Sequence, residues 1–297
     1  MTAELSVNWL KLNPLKKYHT MIHITKYLLL CLFITGLAAA QDAEGLYTQG
    51  EEYFSQGRFA DAHFSFSKYI EYNPDSAKGY ISRGNTYIFL KKIKDALSDF
   101  DKAISIDPKN YKAHSGRGTA YIYMQDGAEA LKSYNKALEL NPNDVVSMNS
   151  IAVIYYGEGK TAEALGWLDK AIKIQPDNVD SYKNRGSMRL FNGDTTGALD
   201  DLNKAVELGP NRVDVYNTRG AIFREMSRYD EAIADFQKAL ELDQFSAEAL
   251  CRMGIAYLYK GDYDAAIINI EKGLNIDPSL KETMSKYLEE AREKNRK

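Results

Sequence analysis

Apolar residues in this chain fall into short helical stripes separated by brief polar breaks, and the stripes come in pairs. Between Tyr111 and Asp144, His114, Gly118 and Tyr121 stand at i, i+4 and i+7, one face of a helix. Ala130, Tyr134 and Ala137 form a second stripe, and Gln125, Asp126 and Gly127 break the two apart. The pattern predicts two short helices joined by a tight turn. At the matching break, other stretches carry Gly57, Gly159, Gly193 and Gly261, the residue a left-handed helix C-cap favours. Pro142 cannot continue the second helix and biases Asn141 away from helical angles, so each helix pair ends there.

Shifting the chain by 34 residues reproduces the pattern. Pro74, Pro108, Pro142, Pro176, Pro210 and Pro278 keep this register, with Gln244 at the one vacant place. Ala62, Ala96, Ala130, Ala164, Ala198, Ala232 and Ala266 keep it without exception. A second small column is Gly50, Gly84, Gly118, Ala152, Gly186, Gly220 and Gly254; a third is Ala103, Ala137, Ala171, Ala205 and Ala239, flanked by Tyr69 and Gly273. So strict a period predicts a stack of repeats. Small columns mark places where two helices cross closely and only Gly or Ala fits.

Thirty-four residues, a small residue at the eighth place, Ala at the twentieth and twenty-seventh and Pro at the thirty-second resemble the tetratricopeptide repeat (TPR). The resemblance implies an all-α TPR solenoid of seven helix-turn-helix repeats forming a right-handed superhelix, beginning at Ala43, Ala77, Tyr111, Val145, Val179, Val213 and Ala247. The array is expected over 41–278 and a C-terminal capping helix over 279–297, where Leu280, Met284, Tyr287, Leu288 and Ala291 share one face and cover an otherwise exposed apolar end. Departures are Tyr69 in a small column, Gln244 for proline, and Arg189 for an aromatic, which is expected to loosen the fifth repeat.

Residues 1–40 read differently. Lys26 precedes the apolar run Tyr27–Leu37, too short for the roughly 20 residues of a membrane-spanning helix, and Ala38, Ala39 and Ala40 follow. This is the pattern of a secretory signal peptide cleaved before Gln41. Met21 would by itself begin a leader of ordinary length; the alternative is an uncleaved N-terminal anchor. Cys31 lies inside the apolar core after Leu30 and does not fit a lipid-attachment site.

Four of the 38 basic and one of the 41 acidic residues precede Gln41, leaving 34 against 40 and nothing that favours nucleic acid. Cys251 is then the sole cysteine, which excludes an internal disulfide. No phosphate-loop, dinucleotide, nucleophile-elbow, zinc-protease or C-x-x-C spacing occurs, so neither enzyme, cofactor nor metal is expected. His114 falls in a column of Leu46, Tyr80, Met148, Tyr182, Tyr216 and Leu250 and reads as packing. Arg83, Arg185 and Arg219 each have an Asp sixteen residues on (Asp99, Asp201, Asp235), whereas Arg117 has Ser133. These read as structural ion pairs, half-exposed and contributing about 0–1 kcal/mol; a ladder of anion sites is the alternative.

The TPR resemblance further implies that first helices line a concave groove through the second, fifth, ninth, twelfth and thirteenth places. That assigns partner-binding residues Lys78, Ile81, Asn85, Phe89, Lys112, Tyr123, Asn149, Tyr156, Lys183 and Phe191, with Ile88, Ile122, Val146, Val153 and Leu190 completing an apolar middle. Lys78 and Lys112 at one end and Asp180, Asp214 and Glu248 at the other predict a polarised groove. The Lys-Asn-Asn-Lys-Arg set with which chaperone-binding TPR domains hold a carboxylate is broken by Ser187, Thr218 and Glu248. The expected protein is an exported, non-enzymatic scaffold, bacterial and periplasmic or secreted. It takes a protein partner, as a peptide or helix, in the groove and meets membrane only through an uncleaved leader. The alternative is a structural subunit or assembly factor of a bacterial cell-envelope complex such as secretion, pilus or outer-membrane machinery.

Overall fold

The computed structural model describes residues 43–296; the leader, its expected cleavage before Gln41, Met21 and Cys31 lie outside them. Among the described residues no helix is long and apolar enough to cross a membrane. The chain forms two compact blocks that divide between Leu140 and Asn141. The N-terminal block holds α1 (residues 43–55) with α2 (Phe59–Tyr72), α3 (Ala77–Phe89) with α4 (Ile93–Ile106), and α5 (Tyr111–Tyr123) with α6 (Gly127–Leu140). The C-terminal block holds α7 (Val145–Gly157) with α8 (Thr161–Ile174), α9 (Val179–Phe191) with α10 (Thr195–Leu208), α11 (Val213–Glu225) with α12 (Tyr229–Leu242), and α13 (Ala247–Lys260) with α14 (Tyr263–Ile276). A short 3-10 turn, Pro278–Leu280, leads to α15 (Lys281–Asn295), whose Ala291 and Tyr287 pack against Leu258 of α13 and Ala266 of α14.

The turn within every pair depends on one residue in the left-handed region. Gly57, Gly159, Gly193 and Gly261 adopt φ of 73°, 77°, 85° and 91°, and the equivalent Lys91, Gln125 and Ser227 adopt 58°, 61° and 59°. The third repeat therefore turns on Gln125 itself, and Gly127 already begins α6. Between pairs, Asn110 N–H closes onto the Asp107 carbonyl at 3.1 Å across Pro108, and Ser246 N–H onto Asp243 at the same 3.1 Å with Gln244 in place of proline. That loop keeps its form without the ring.

Close crossing explains the small columns. A Cβ on Gly84 would lie 2.9 Å from Phe100 Cε1, and one on Gly220 2.8 Å from Phe236 Cε1. A large residue thus stands sixteen places after each small one, and where Ala152 replaces glycine the facing side chain is the smaller Leu168. Tyr69 fits the third small column because Gly79 on the next helix leaves room: a Cβ there would fall 2.7 Å from the Tyr69 ring.

Arginines on the first helices stitch the pairs together. Arg83 forks onto Asp99 with two bonds of 2.8 Å, Arg185 onto Asp201 at 2.9 and 2.6 Å, and Arg219 onto Asp235 at 2.8 and 2.7 Å. Each also reaches sixteen residues back, to Ser67, Asp169 and Asn203 respectively. Arg117 has the weaker version, Ser133 at 3.2 Å and Asp101 at 3.3 Å. Spending their forks on Asp rules the three strong arginines out as anion sites. These pairs are more enclosed than the sequence implied: Asp99, Asp201 and Asp235 side chains are only 8%, 4% and 7% exposed. Arg189, expected to loosen its repeat, instead bonds Asp201 at 2.8 Å and ties α9 to α10 a second time. His114 is 5% exposed and shares a bond of 3.0 Å with the Pro108 carbonyl, as Tyr216 donates its hydroxyl to Pro210. It is a packing residue.

Candidate binding faces

In the N-terminal block the first helices present Lys78, Asn85, Phe89, Lys112 and Tyr123 to solvent, with Phe89 56% and Tyr123 61% exposed. Phe89 stacks on Phe59 at 4.6 Å between ring centres and meets Phe54 edge-on, so its ring is held in place while one side stays open. Ile122 is exposed beside Tyr123. Ile81 and Ile88, assigned to the groove from their places in the repeat, are instead core residues at 8% and 7%. They share a cluster with Phe100 and with Ala113 and Ala120 of α5, whose small side chains let α5 close over α3.

Lys78 and Lys112 flank a cleft of 540 Å³ that also includes Tyr47, Glu51, Asn85 and Lys109. Lys78 is tied to Glu44 at 2.8 Å and lies 4.3 Å above the Tyr47 ring. The side chains of Lys109 and Lys112 have no ionic or hydrogen-bonding partner among the described residues. Glu51 and Asp107 on the same cleft likewise lack an ion-pair partner among the described residues, so its charges are unpaired and of both signs.

In the C-terminal block Phe191 is 75% exposed on α9, with half-buried Tyr156 of α7 6.4 Å away between ring centres. Val146 and Val153 are exposed and Leu190 is half-buried. Asn149 is buried at 8%, its Nδ2 donating to Asn178 Oδ1 at 3.4 Å. Lys183 is half-buried and bound to Asp214 and Asp180.

The acidic row expected here is not free. Arg212 donates to Asp214 through both Nε and Nη2 at 2.7 Å and to Asp180 at 2.8 Å, while Arg252 bonds Glu248 at 2.8 Å. The hydrogen bond from Arg212 and then the charge of Lys183, against some burial, hold the Asp214 carboxyl well below the usual carboxylate range. Burial opposes ionisation of Asp180, yet Arg212 and Lys183 outweigh it and its pKa too is lowered. The predicted polarisation fails at this end because a loop residue supplies the counter-charge. A signal existed: the place before each first helix holds Ser76, Asn110, Asp144, Asn178 and Ser246, all helix-capping residues, and only Arg212 departs.

A hollow of 330 Å³ lies between α9 and α11, bordered by Phe191, Asn217 and Arg224. It shares Arg224, Glu248 and Arg252 with a second hollow of 710 Å³, whose far wall is α15 with Met284 and Tyr287. The terminal helix is thus part of the concave wall as well as a lid on α14, a role its half-apolar pattern did not disclose. Cys251 borders the same hollow; burial, and then Asp277, push its thiol up to about 11, the state of an unreactive cysteine. Among the described residues no group of His, Cys, Asp or Glu is placed to hold a metal ion.

Consecutive helix pairs with first helices on an open face and second helices behind define a helical-hairpin repeat protein. Profiles described as Tetratricopeptide repeat match residues 43–76, 77–110, 111–144, 133–166 and 211–279, and the chain belongs to the tetratricopeptide repeat family. No curated protein matches the chain closely enough to name as a relative. Among solved structures, the Cut9–Hcn1 hetero-tetramer of the APC/C is similar at 19% identity and TM-score 0.68, over 78% of this chain but only 48% of that one. A TPR protein of Parabacteroides merdae is 18% identical with TM-score 0.63, over 85% and 99% of the two chains. PilF of Pseudomonas aeruginosa is 20% identical with TM-score 0.58, over 74% and 97%. At such identities the likeness is one of fold.

Proposed function

We propose that this chain is an exported, non-enzymatic scaffold that binds a segment of another protein on its first-helix faces. The observation that carries this reading is the recurrence of Phe89, Tyr123 and Phe191 at one place in three repeats, all more than half exposed. Exposed aromatics grouped on one face are among the side chains that dominate protein–protein binding energy. Export rests on Lys26, the apolar run that follows and Ala38–Ala40, with release into the periplasm or the medium of a bacterium after cleavage before Gln41.

A second reading, a structural subunit or assembly factor of a cell-envelope complex, is favoured by Phe64 on α2 and Ile268 on α14, 61% and 50% exposed on second helices where a groove ligand would not reach. One experiment separates the two: affinity capture from the native envelope with wild-type protein and with Tyr123→Ala and Phe191→Ala. Groove binding predicts that each variant weakens capture by about 2 kcal/mol while the melting temperature holds. Undiminished capture by both variants moves the contact to the second helices. Sequencing the mature N-terminus should begin at Gln41; an intact leader in the membrane fraction replaces release with anchoring.

A further inference from the structure

The fourth repeat departs from the others on its second helix, α8. Trp167 stands where the other repeats carry Ser65, Asp99, Ser133, Asp201, Asp235 and Asn269, all small and polar, and fully buried Ile151 takes the place of the stitching arginine. Gly166 beside it lies in the interior of α8, where glycine costs helix stability. The glycines of the close crossings are required by the side chains they meet, whereas a Cβ on Gly166 would have nothing within 4 Å. Packing gives no reason for that glycine. Its missing side chain leaves a cleft of 450 Å³ lined by Tyr155, Lys160, Glu163, Gly166, Trp167 and Lys170, within the range of about 300–1,000 Å³ of small-ligand sites. None of the residues assigned to the first-helix groove lines it.

The walls define what fits. Trp167 and Tyr155 are half-buried and packed on the cluster of Ala152, Ala164, Leu168 and Met188, so their rings are held in place. Lys170 lies 4.3 Å from the centre of the indole and Lys160 5.3 Å from that of Tyr155. Lys160 is paired with Glu158, but the exposed Lys170 and Glu163 have neither ion pair nor hydrogen bond among the described residues. An anion drawn to Lys170 would meet Glu163, and a cation drawn to Glu163 would meet Lys170. A hydroxyl serves both, since it accepts from an ammonium and donates to a carboxylate. The guest that joins hydroxyls to a flat face of C–H bonds, weakly positive against the negative face of an aromatic ring, is a pyranose. The hold of Lys170 on the indole is an exposed cation–π contact, weak enough for such a ring to displace.

We propose that the fourth repeat carries a glycan site outside the groove, in which Trp167 and Tyr155 receive the apolar face of a neutral pyranose and Lys170 and Glu163 bind its hydroxyls. The site stands whether or not a protein segment binds the first helices.

Trp9 and Trp167 are the two tryptophans of the chain, so in the full chain carrying Trp9→Phe the indole emission reports on the cleft alone. The neutral probes are glucose, N-acetylglucosamine, cellotetraose and chitotetraose; tetragalacturonate, a glucosamine tetramer and glycine betaine are the anionic, cationic and zwitterionic ones. At least one neutral sugar should shift the emission saturably with a Kd of about 1 mM or below. Tighter binding of a tetrasaccharide than of its monosaccharide assigns a glycan chain and equal binding a free sugar, and both support the proposal. Gly166→Leu fills the cleft and improves the helix, so binding should fall about ten-fold or more while the melting temperature holds or rises. Glu163→Ala and Lys170→Ala change only exposed side chains and should each weaken binding about three-fold or more. The proposal is overturned if no neutral sugar gives a saturable shift up to about 10 mM, or if a charged or zwitterionic probe binds more tightly than every neutral one. It is equally overturned if Gly166→Leu, or the two alanine variants alike, leave binding unchanged.

Discussion

The two clefts are cut from the same repeat and differ in how their charges are spent. In the N-terminal block Lys109 and Lys112, and Glu51 and Asp107 on the same cleft, all stand without an ion-pair partner among the described residues, while in the C-terminal block Arg212, Lys183 and Arg252 pair with Asp214, Asp180 and Glu248. Formal charges counted along a column would make the second cleft acidic. Its surface is instead close to balanced, because counter-charge arrives from outside the column, from Arg212 in a loop and from Lys183 and Arg252 at other places on the first helices. The lesson is that repeat position predicts where a side chain stands, and pairing decides whether its charge is available to a partner.

Beneath the clefts the two blocks should be mechanically alike, and the largest effects test that likeness. Gly84→Val and Gly220→Val meet Phe100 and Phe236 at nearly the same distance, so each should cost about 3 kcal/mol by overpacking. Thermal melting of the two variants should shift by similar amounts, and unequal shifts would show that the blocks do not share one packing. The arginines should break the symmetry. Arg219→Met strands Asp235, 7% exposed, and should cost about 3 kcal/mol, well above the value for a surface pair. Arg117→Met loses only a hydroxyl and the 59%-exposed Asp101 and should cost about 1 kcal/mol or less. Denaturant titration of both proteins measures the gap.

Acid should act on the second cleft more than on the first. Asp180 and Asp214 have lowered pKa values when folded, so the folded chain binds fewer protons there than the unfolded one. Their stabilising contribution is complete above about pH 4 and drains away as pH falls through the depressed values. Because both carboxyls are nearly half exposed, the sum should be only about 1 kcal/mol. Replacing Arg212 with Ser, which also restores a capping residue, should flatten the fall in melting temperature between about pH 5 and pH 2. An unchanged slope would mean that the trio contributes nothing. The smallest effect belongs to the first cleft: Lys112→Glu should slow association of an acidic partner at low salt, and the difference should vanish as salt shortens the screening length below about 10 Å.

Helix pairs, turns and close crossings were legible because a fixed period lets each repeat check the others: Gly84, Gly118 and Gly220 mean the same thing in turn. The binding faces were less so. Phe89, Tyr123 and Phe191 reached the surface as their places implied, but Ile81 and Ile88 did not, since a place in the repeat says nothing about how near a neighbour comes when its side chains are Ala113 and Ala120. Arg189 looked disruptive because the sequence does not reveal that Asp201 can accept from two guanidiniums at once. The wall made by α15 lay outside the period altogether.

The arginine stitches also set where opening of the stack can stop. Arg83 joins the first pair to the second and Arg117 the second to the third; Arg185 joins the fourth to the fifth and Arg219 the fifth to the sixth. In the seventh repeat the same place is Met253, and α13 with α14 is fastened to its predecessor by side-chain packing without that bond. Cooperativity in a repeat protein is the strength of its nearest-neighbour couplings. The charged tie of α13 to α12 is the exposed Lys260–Asp230 pair at 2.6 Å in place of an enclosed fork, so the C-terminal pair, together with α15, should loosen more readily than the stitched pairs and carry the far end of the second cleft with it.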